Sequence, residues 1–253
     1  MRARLQKLSA AGRCFFGLAM IASGAMQLFL REFVRLVPKQ PAGAPWPIIT
    51  GVILVVAGGL IVAGKRQRAG AGAVAALLLV ALALRVPGIV ANPGAGFVWT
   101  NPCKTLALFG AALLLAGVGL GPIPPVRLCR WLLAVFLVVG GVQHFVYAGF
   151  VHKLVPAWMP WVPFWTYFTG VALCAAGIGL VLPRTASLAA ASAGLMIFLW
   201  VLLLHLPRAL IHPGGADEMA GVFEALALSG VAFLAVGGPV AFSSHPILKN
   251  ENH

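Results

Sequence analysis

Polar residues in this chain come in short clusters, and the stretches between them are apolar almost without interruption. Eight such stretches are predicted as helices, at about residues 12–34, 47–64, 70–91, 103–121, 131–151, 164–183, 187–211 and 220–241. Each has about the 20 residues that an α-helix needs to cross ~30 Å of hydrocarbon. A β-barrel would alternate apolar and polar positions, whereas these runs are continuous. Gly and Ala recur within them, as in GAVAALLLVALAL and GAALLLAGVGLG. Small residues let helix backbones approach where water supplies no drive to associate, so the pattern predicts a tight bundle.

The polar clusters repeat. Residues 144–170 (HFVYAGFVHKLVPAWMPWVPFWTYFTG) are answered upstream by residues 27–51 (QLFLREFVRLVPKQPAGAPWPIITG): Leu36-Val37-Pro38 matches Leu154-Val155-Pro156, and Thr50-Gly51 matches Thr169-Gly170. Further on, Leu84-Arg85-Val86-Pro87 matches Leu204-His205-Leu206-Pro207, and Asn92-Pro93-Gly94 matches His212-Pro213-Gly214. Leu106-Ala107-Leu108 with Gly110 then matches Leu226-Ala227-Leu228 with Gly230. The chain reads as a tandem duplication, residues 1–121 and 122–253, joined at Gly121-Pro122-Ile123-Pro124-Pro125. Four helices per copy insert both copies the same way up, giving a parallel repeat about an axis along the membrane normal. The expected fold is all-α: eight transmembrane helices in two packed four-helix bundles.

Composition agrees with a lipid setting. The chain is 61% apolar and 9% charged, where ordinary globular domains are about half apolar and a quarter charged. The formal net charge of +13 does not imply nucleic acid, because the basic residues are spread over short loops. Arg2, Arg4, Lys7, Arg13, Lys65, Arg66, Arg68, Arg127, Arg130, Arg184 and Lys249 fall on one side. The positive-inside rule makes that side cytoplasmic and puts both termini there, in a multi-pass membrane protein. Glu32, Asp217, Glu218 and Glu224 fall on the outer side. The start imitates a signal peptide, but its place in the repeat predicts a retained first span. Cys14, Cys103, Cys129 and Cys174 have no metal-type spacing, and no disulfide is expected.

The second copy carries the motifs Gly141-x-x-His144-Phe145, Val155-Pro156-x-Trp158-x-Pro160, Trp165-x-Tyr167-x-Thr169-Gly170 and Leu182-Pro183-Arg184-Thr185. In these it resembles the DoxX/DoxD-like family of small bacterial membrane proteins, and the first copy resembles it more weakly. Gln27, Arg85 and Asn92 there replace His144, His205 and His212. The resemblance implies four-helix units. One branch of the family resembles the membrane subunit of thiosulfate:quinone oxidoreductase, which implies a membrane partner in quinone-linked redox chemistry, an analogy at the level of fold.

The candidate site is a polar pocket in the outer third of the second copy: His144, Tyr147, His205, Arg208, His212 and Glu224. His205, Arg208 and His212 share a helix face, with Pro207 able to bend the helix between them. An ionisable residue within a span costs roughly 2.5–3.5 kcal/mol and so pairs internally; by topology, Glu224 is expected to pair with Arg208. The plainer reading of these residues is interhelical hydrogen bonding and Arg or Lys side chains reaching lipid phosphates. His144 and His205 could bridge a b-type haem. A zinc or copper site from His144, His152, His205 and His212 would lack any accompanying carboxylate or thiolate cluster. Trp46, Trp99, Trp158 and Trp161 read as an interfacial belt, with residues 154–163 interfacial or re-entrant. No nucleophile triad, phosphate loop or paired-carboxylate motif is present.

The expectation is therefore a non-catalytic accessory subunit that binds or positions a quinone, lipid or redox-complex partner. The alternatives are a quinone- or haem-linked oxidoreductase subunit and a small-molecule transporter.

Overall fold

The computed structural model describes residues 2–36, 38, 45–212 and 215–237. Val37, Lys39, Pro213, Gly214 and Lys249, and the side chains of Arg2 and Arg4, lie outside the described residues. All regular structure among the described residues is helical apart from one isolated bridge between Leu120 and Ile123. The elements are α1 (Arg2–Leu30), α2 (Pro45–Ala63), α3 (Gln67–Ala91), a 3₁₀ turn (Gly96–Trp99), α4 (Thr100–Ala116), α5 (Pro125–Val146) and α6 (Ala148–His152). They continue with α7 (Val162–Val181), α8 (Ala186–Trp200), a π-helical stretch (Val201–His205), α9 (Leu206–Ile211) and α10 (Ala216–Ala235). Eight of the resulting helical spans are long and apolar enough to cross a membrane, the make-up of a multi-pass membrane protein.

The spans fall where the apolar runs lie, but their ends differ from the expected ones. Helix α1 starts well before residue 12 and stops at Leu30, because Arg31 turns left-handed (φ 55°) while its N–H still bonds Gln27 O at 2.9 Å. Residues 31–34, expected in the helix, belong to the following turn. Helix α4 stops at Gly117 (φ 77°) and not at residue 121. The N–H groups of Gly117 and Val118 bond the carbonyls of Leu114 and Leu113, a stop that favours glycine. Helix α5 breaks at Tyr147, and α10 begins at Ala216 rather than 220, so that Asp217 and Glu218 sit in its first turn, where acidic groups suit the helix dipole.

Ahead of Pro207, where a bend between His205 and His212 is expected, the helix departs from regular α geometry. The proline nitrogen cannot donate within the helix and its ring crowds the preceding turn, and the chain widens into π geometry over Val201–His205 before α9 resumes. Pro87 occupies the corresponding place in α3, where the helix passes through it without such a stretch.

Consecutive spans pack side by side, α1 on α2, α2 on α3, α3 on α4, α4 on α5, α5 on α7, α7 on α8 and α8 on α10; α10 then packs on α1. The eight spans thus close a ring whose two joints between the first and second halves of the chain are α4 on α5 and α10 on α1, with a further contact between the halves from α10 to α4. Helix α10 also touches α4 and α5 and is the most enclosed span. Small residues make the close approaches: a Cβ on Gly24 would stand 2.6 Å from Gly51 O, and one on Gly141 would stand 2.7 Å from Gly170 O. At the end where α10 finishes, Arg130 donates to the carbonyls of Ala235 at 2.8 Å and Gly237 at 3.2 Å, closing the helix. The four cysteines are free thiols.

Candidate functional site

The opposite end of the bundle, where α1 stops and α10 starts, gathers the charged residues. Two turns into α10, Glu224 is 8% exposed, in a helix otherwise built from Ala, Leu, Gly, Val, Ser and Phe at this depth. Its Oε2 accepts a hydrogen bond from Lys104 Nζ on α4 at 2.8 Å. Arg35 Nη1, from the turn after α1, stands 3.8 Å from the same oxygen. Arg85, near the end of α3, adds a third positive charge to the surroundings of Glu224. Its Nη2 donates to Arg35 O at 2.8 Å and so holds that turn over the bundle.

The expected Arg208–Glu224 pair is not the one formed. Arg208 Nη2 bonds Glu218 Oε1 at 3.3 Å, since Glu218 in the first turn of α10 lies level with α9, whereas Glu224 lies deeper and faces α4. Arg35 also approaches Asp217 Oδ1 at 3.8 Å. Glu224 is therefore held by residues from the first half of the chain, and it pairs with Lys104, the residue at its own matching position 120 places upstream.

The six candidate residues separate into groups. His205, at the end of the π stretch, joins the Glu224 cluster: its ring lies over Gly221, one turn before Glu224, and feels the charges of Lys104, Glu224, Arg35 and Arg208. Arg208 lies beside it, paired as above. His144 turns to different neighbours. Its Nδ1–H donates to Gly140 O at 2.7 Å, and the ring stacks on Trp200 with centroids 6.5 Å apart. Between the rings of His144 and His205 there is neither a hydrogen bond nor a ring contact among the described residues. His212 is exposed at the end of α9. Tyr147 packs its hydroxyl against Gly96 and borders a flank groove of about 270 Å³ with Trp99, Val139, Val142, Gln143 and Val146. Among the described residues no group of three or more His, Cys, Asp or Glu side chains is placed to hold a metal ion, so His144, His152, His205 and His212 do not converge.

Three positions were missed as site residues. Arg35 reads as an interfacial charge and Lys104 only as the oppositely charged equivalent of Glu224, although a lone Lys inside an apolar run is itself a sign of a buried partner. Gln143 fastens the 3₁₀ turn to α5, accepting from Thr100 Oγ1 at 2.9 Å and donating to Gly96 O at 2.7 Å. Trp158 and Trp161 are well exposed in the connection between α6 and α7, as a belt position requires.

Residues 133–222 match the family model described as Domain of unknown function (DUF8561). The match lies in the second half, from α5 to the first turns of α10, and ends just before Glu224; no DoxX family model matches. No curated protein and no solved structure matches the chain.

Proposed function

We infer that this is a non-catalytic accessory subunit of the bacterial inner membrane, a tandem repeat of DoxX-like four-helix units with both termini cytoplasmic. It binds or positions a quinone, a lipid or a redox partner at its periplasmic end. The observation that carries this reading is the buried Glu224 with Lys104 and Arg35 around it and His205 alongside. Charges placed this deep cost several kcal/mol unless paired. Here they are paired into a fixed arrangement, which suits holding a ligand or partner more than moving protons. The repeat is supported by matching contacts, since Gly24 meets Gly51 as Gly141 meets Gly170, and Gly17 meets Gly58 as Ala134 meets Gly177.

The quinone- or haem-linked oxidoreductase reading has one observation of its own. With Nδ1–H bound to Gly140 O, His144 keeps Nε2 as its free lone pair, the state of a ligating imidazole. One sample tests both readings: the full chain purified in mild detergent, with oxidised and dithionite-reduced absorption spectra and native mass spectrometry. A colourless protein with a retained quinone, lipid or partner subunit is the expected result, with retention falling further in His205→Ala than in Arg85→Ala. A Soret band with a sharpened reduced α-band would replace this reading with the haem-linked one, and equal losses in the two variants would remove the second-half pocket.

A further inference from the structure

The end of the bundle opposite Glu224 holds cations and, among the described residues, no acid. Lys7, Lys65, Arg66, Arg68, Arg127 and Arg184 are exposed there, and Arg13 and Arg130 are partly buried. Glu32, Asp217, Glu218 and Glu224 all lie towards the other end. The positive-inside rule accounts for the sign of these charges. It does not account for how differently the two halves use them.

Arg13 and Arg130 stand at matching positions, as far apart in the chain as Gln27 and His144. Arg130 commits its guanidinium to the protein: Nε donates to Ala235 O at 2.8 Å, and Nη2 reaches Ser187 Oγ and Gly237 O at 3.2 Å each. In the first half the carbonyl matching Ala235 O is Leu115 O, and Gln67 Nε2 already donates to it at 3.1 Å. Arg13 keeps one contact, Nη1 to Gln67 Oε1 at 3.5 Å, which is longer than an ordinary N–H···O bond. Its Nε is buried and has no partner among the described residues.

The Arg13 guanidinium lies against the turn that joins α2 to α3. A Cβ on Gly64 would stand 3.0 Å from its Nη1, and Gly64 takes a left-handed φ of 70°. Lys65 and Arg66 follow directly, exposed and without an ion pair or side-chain hydrogen bond among the described residues. The matching turn of the second half, Leu182-Pro183-Arg184-Thr185, has one cation, and its Thr185 Oγ1 donates to Gly179 O at 2.8 Å. The first half thus gathers unpaired cations where its matching segment has bonded groups.

We propose that Arg13, Lys65 and Arg66 bind the phosphate of an anionic phospholipid in the leaflet at this end, cytoplasmic on the topology inferred above. Guanidinium and ammonium groups with unmet N–H donors and no nearby carboxylate are a donor set for phosphate. The turn lies where apolar spans leave the hydrocarbon, so a headgroup anchored by its own acyl chains reaches it with less loss of freedom than a solute. A zwitterionic headgroup would bring a cation of its own against three. The site is separate from the pocket at the outer end and does not depend on it.

The test compares the full chain with a Lys65→Gln/Arg66→Gln double variant, with Arg13→Gln, and with an Arg127→Gln/Arg184→Gln double variant that removes equal charge from the second half. The four residues of the double variants are exposed, so the fold is kept; circular dichroism checks it. Each protein is placed in nanodiscs of mixed phosphatidylglycerol and phosphatidylcholine, and the lipid it retains in mild detergent is read by native mass spectrometry. The expected result is preferential retention of phosphatidylglycerol. That preference should fall roughly tenfold or more in Lys65→Gln/Arg66→Gln, at about fivefold per cation near an anionic surface. It should fall in Arg13→Gln as well and hold in Arg127→Gln/Arg184→Gln. No preference, or a preference that survives Lys65→Gln/Arg66→Gln, overturns the site. An equal fall in the two double variants overturns it too, since the charge of the whole end would then be responsible. Saturable binding of inorganic phosphate without any preference between the lipids would overturn the lipid as occupant.

Discussion

The two halves of this chain carry nearly the same apolar runs and treat the same polar positions differently. In the first half Pro87 sits inside an unbroken α3, and Arg85, two residues before it, reaches across to the carbonyls of Arg35 and Leu36. In the second half the segment before Pro207 opens into π geometry, and His205 lies inward over Gly221. In the first half Gln27 is fully buried and tied to Thr50 by a 2.6 Å bond. Its counterpart, His144, bonds within its own helix instead and stacks on Trp200. In the first half Gln27 and Arg85 bond across to other segments, while in the second His144 bonds within its own helix and His205 makes no hydrogen bond among the described residues.

Lys104 and Glu224 are where the comparison is sharpest, because they stand 120 residues apart and touch each other. Lys104→Met leaves Glu224 buried with only the more distant Arg35 and Arg85 as counter-charges. The expected loss is about 3–5 kcal/mol of stability, the usual effect of removing one partner of a buried pair. Adding Glu224→Leu should restore most of it, since replacing both partners with apolar groups is often neutral. Unfolding of the single and double variants by denaturing detergent, followed by circular dichroism, gives the comparison. A double variant no more stable than Lys104→Met would mean that Glu224 has a role other than pairing.

The halves also differ at the two joints between them. A Cβ on Gly230 would meet the backbone of Gly12 and Phe16 at 2.8 Å, whereas one on Gly110 would first meet the end of the Leu132 side chain at 3.1 Å. Backbone cannot yield as a leucine methyl can. Gly230→Ala should therefore cost about 1–3 kcal/mol as an overpacked contact, and Gly110→Ala distinctly less. Equal losses in the same unfolding assay would show that both joints are equally rigid.

How far the sequence alone reaches can be judged on these residues. The spans were legible because a run of about 20 apolar residues needs no tertiary knowledge. Their ends were not, since the stop at Arg31 is set by a left-handed backbone on a residue with no propensity for it, and the break at Tyr147 by packing on Gly96. His205 and Glu224 could be picked out as polar residues in apolar surroundings. Which cation holds Glu224 could not, because it depends on which helices of the two halves touch. Arg208 was nearer in the chain, yet α4 supplies the partner. Opposite charges at matching positions of two otherwise similar runs were the one available clue.

The smallest expected effect bears on the fastening itself. Thr50 Oγ1 also lies within reach of its own helix carbonyls of Trp46 and Pro47, so its bond to Gln27 Oε1 is one of several competing partners. Thr50→Val keeps the shape, removes that bond and leaves the buried Gln27 Oε1 without its donor; about 1 kcal/mol should be lost, in line with interhelical hydrogen bonds in lipid. Thr169→Val, at the matching position, should change stability by much less, because His144 bonds to Gly140 rather than across to α7. If instead Thr169→Val proved as damaging as Thr50→Val, the second half would be fastened like the first, and its histidine would have to be counted as structure and not as part of a site.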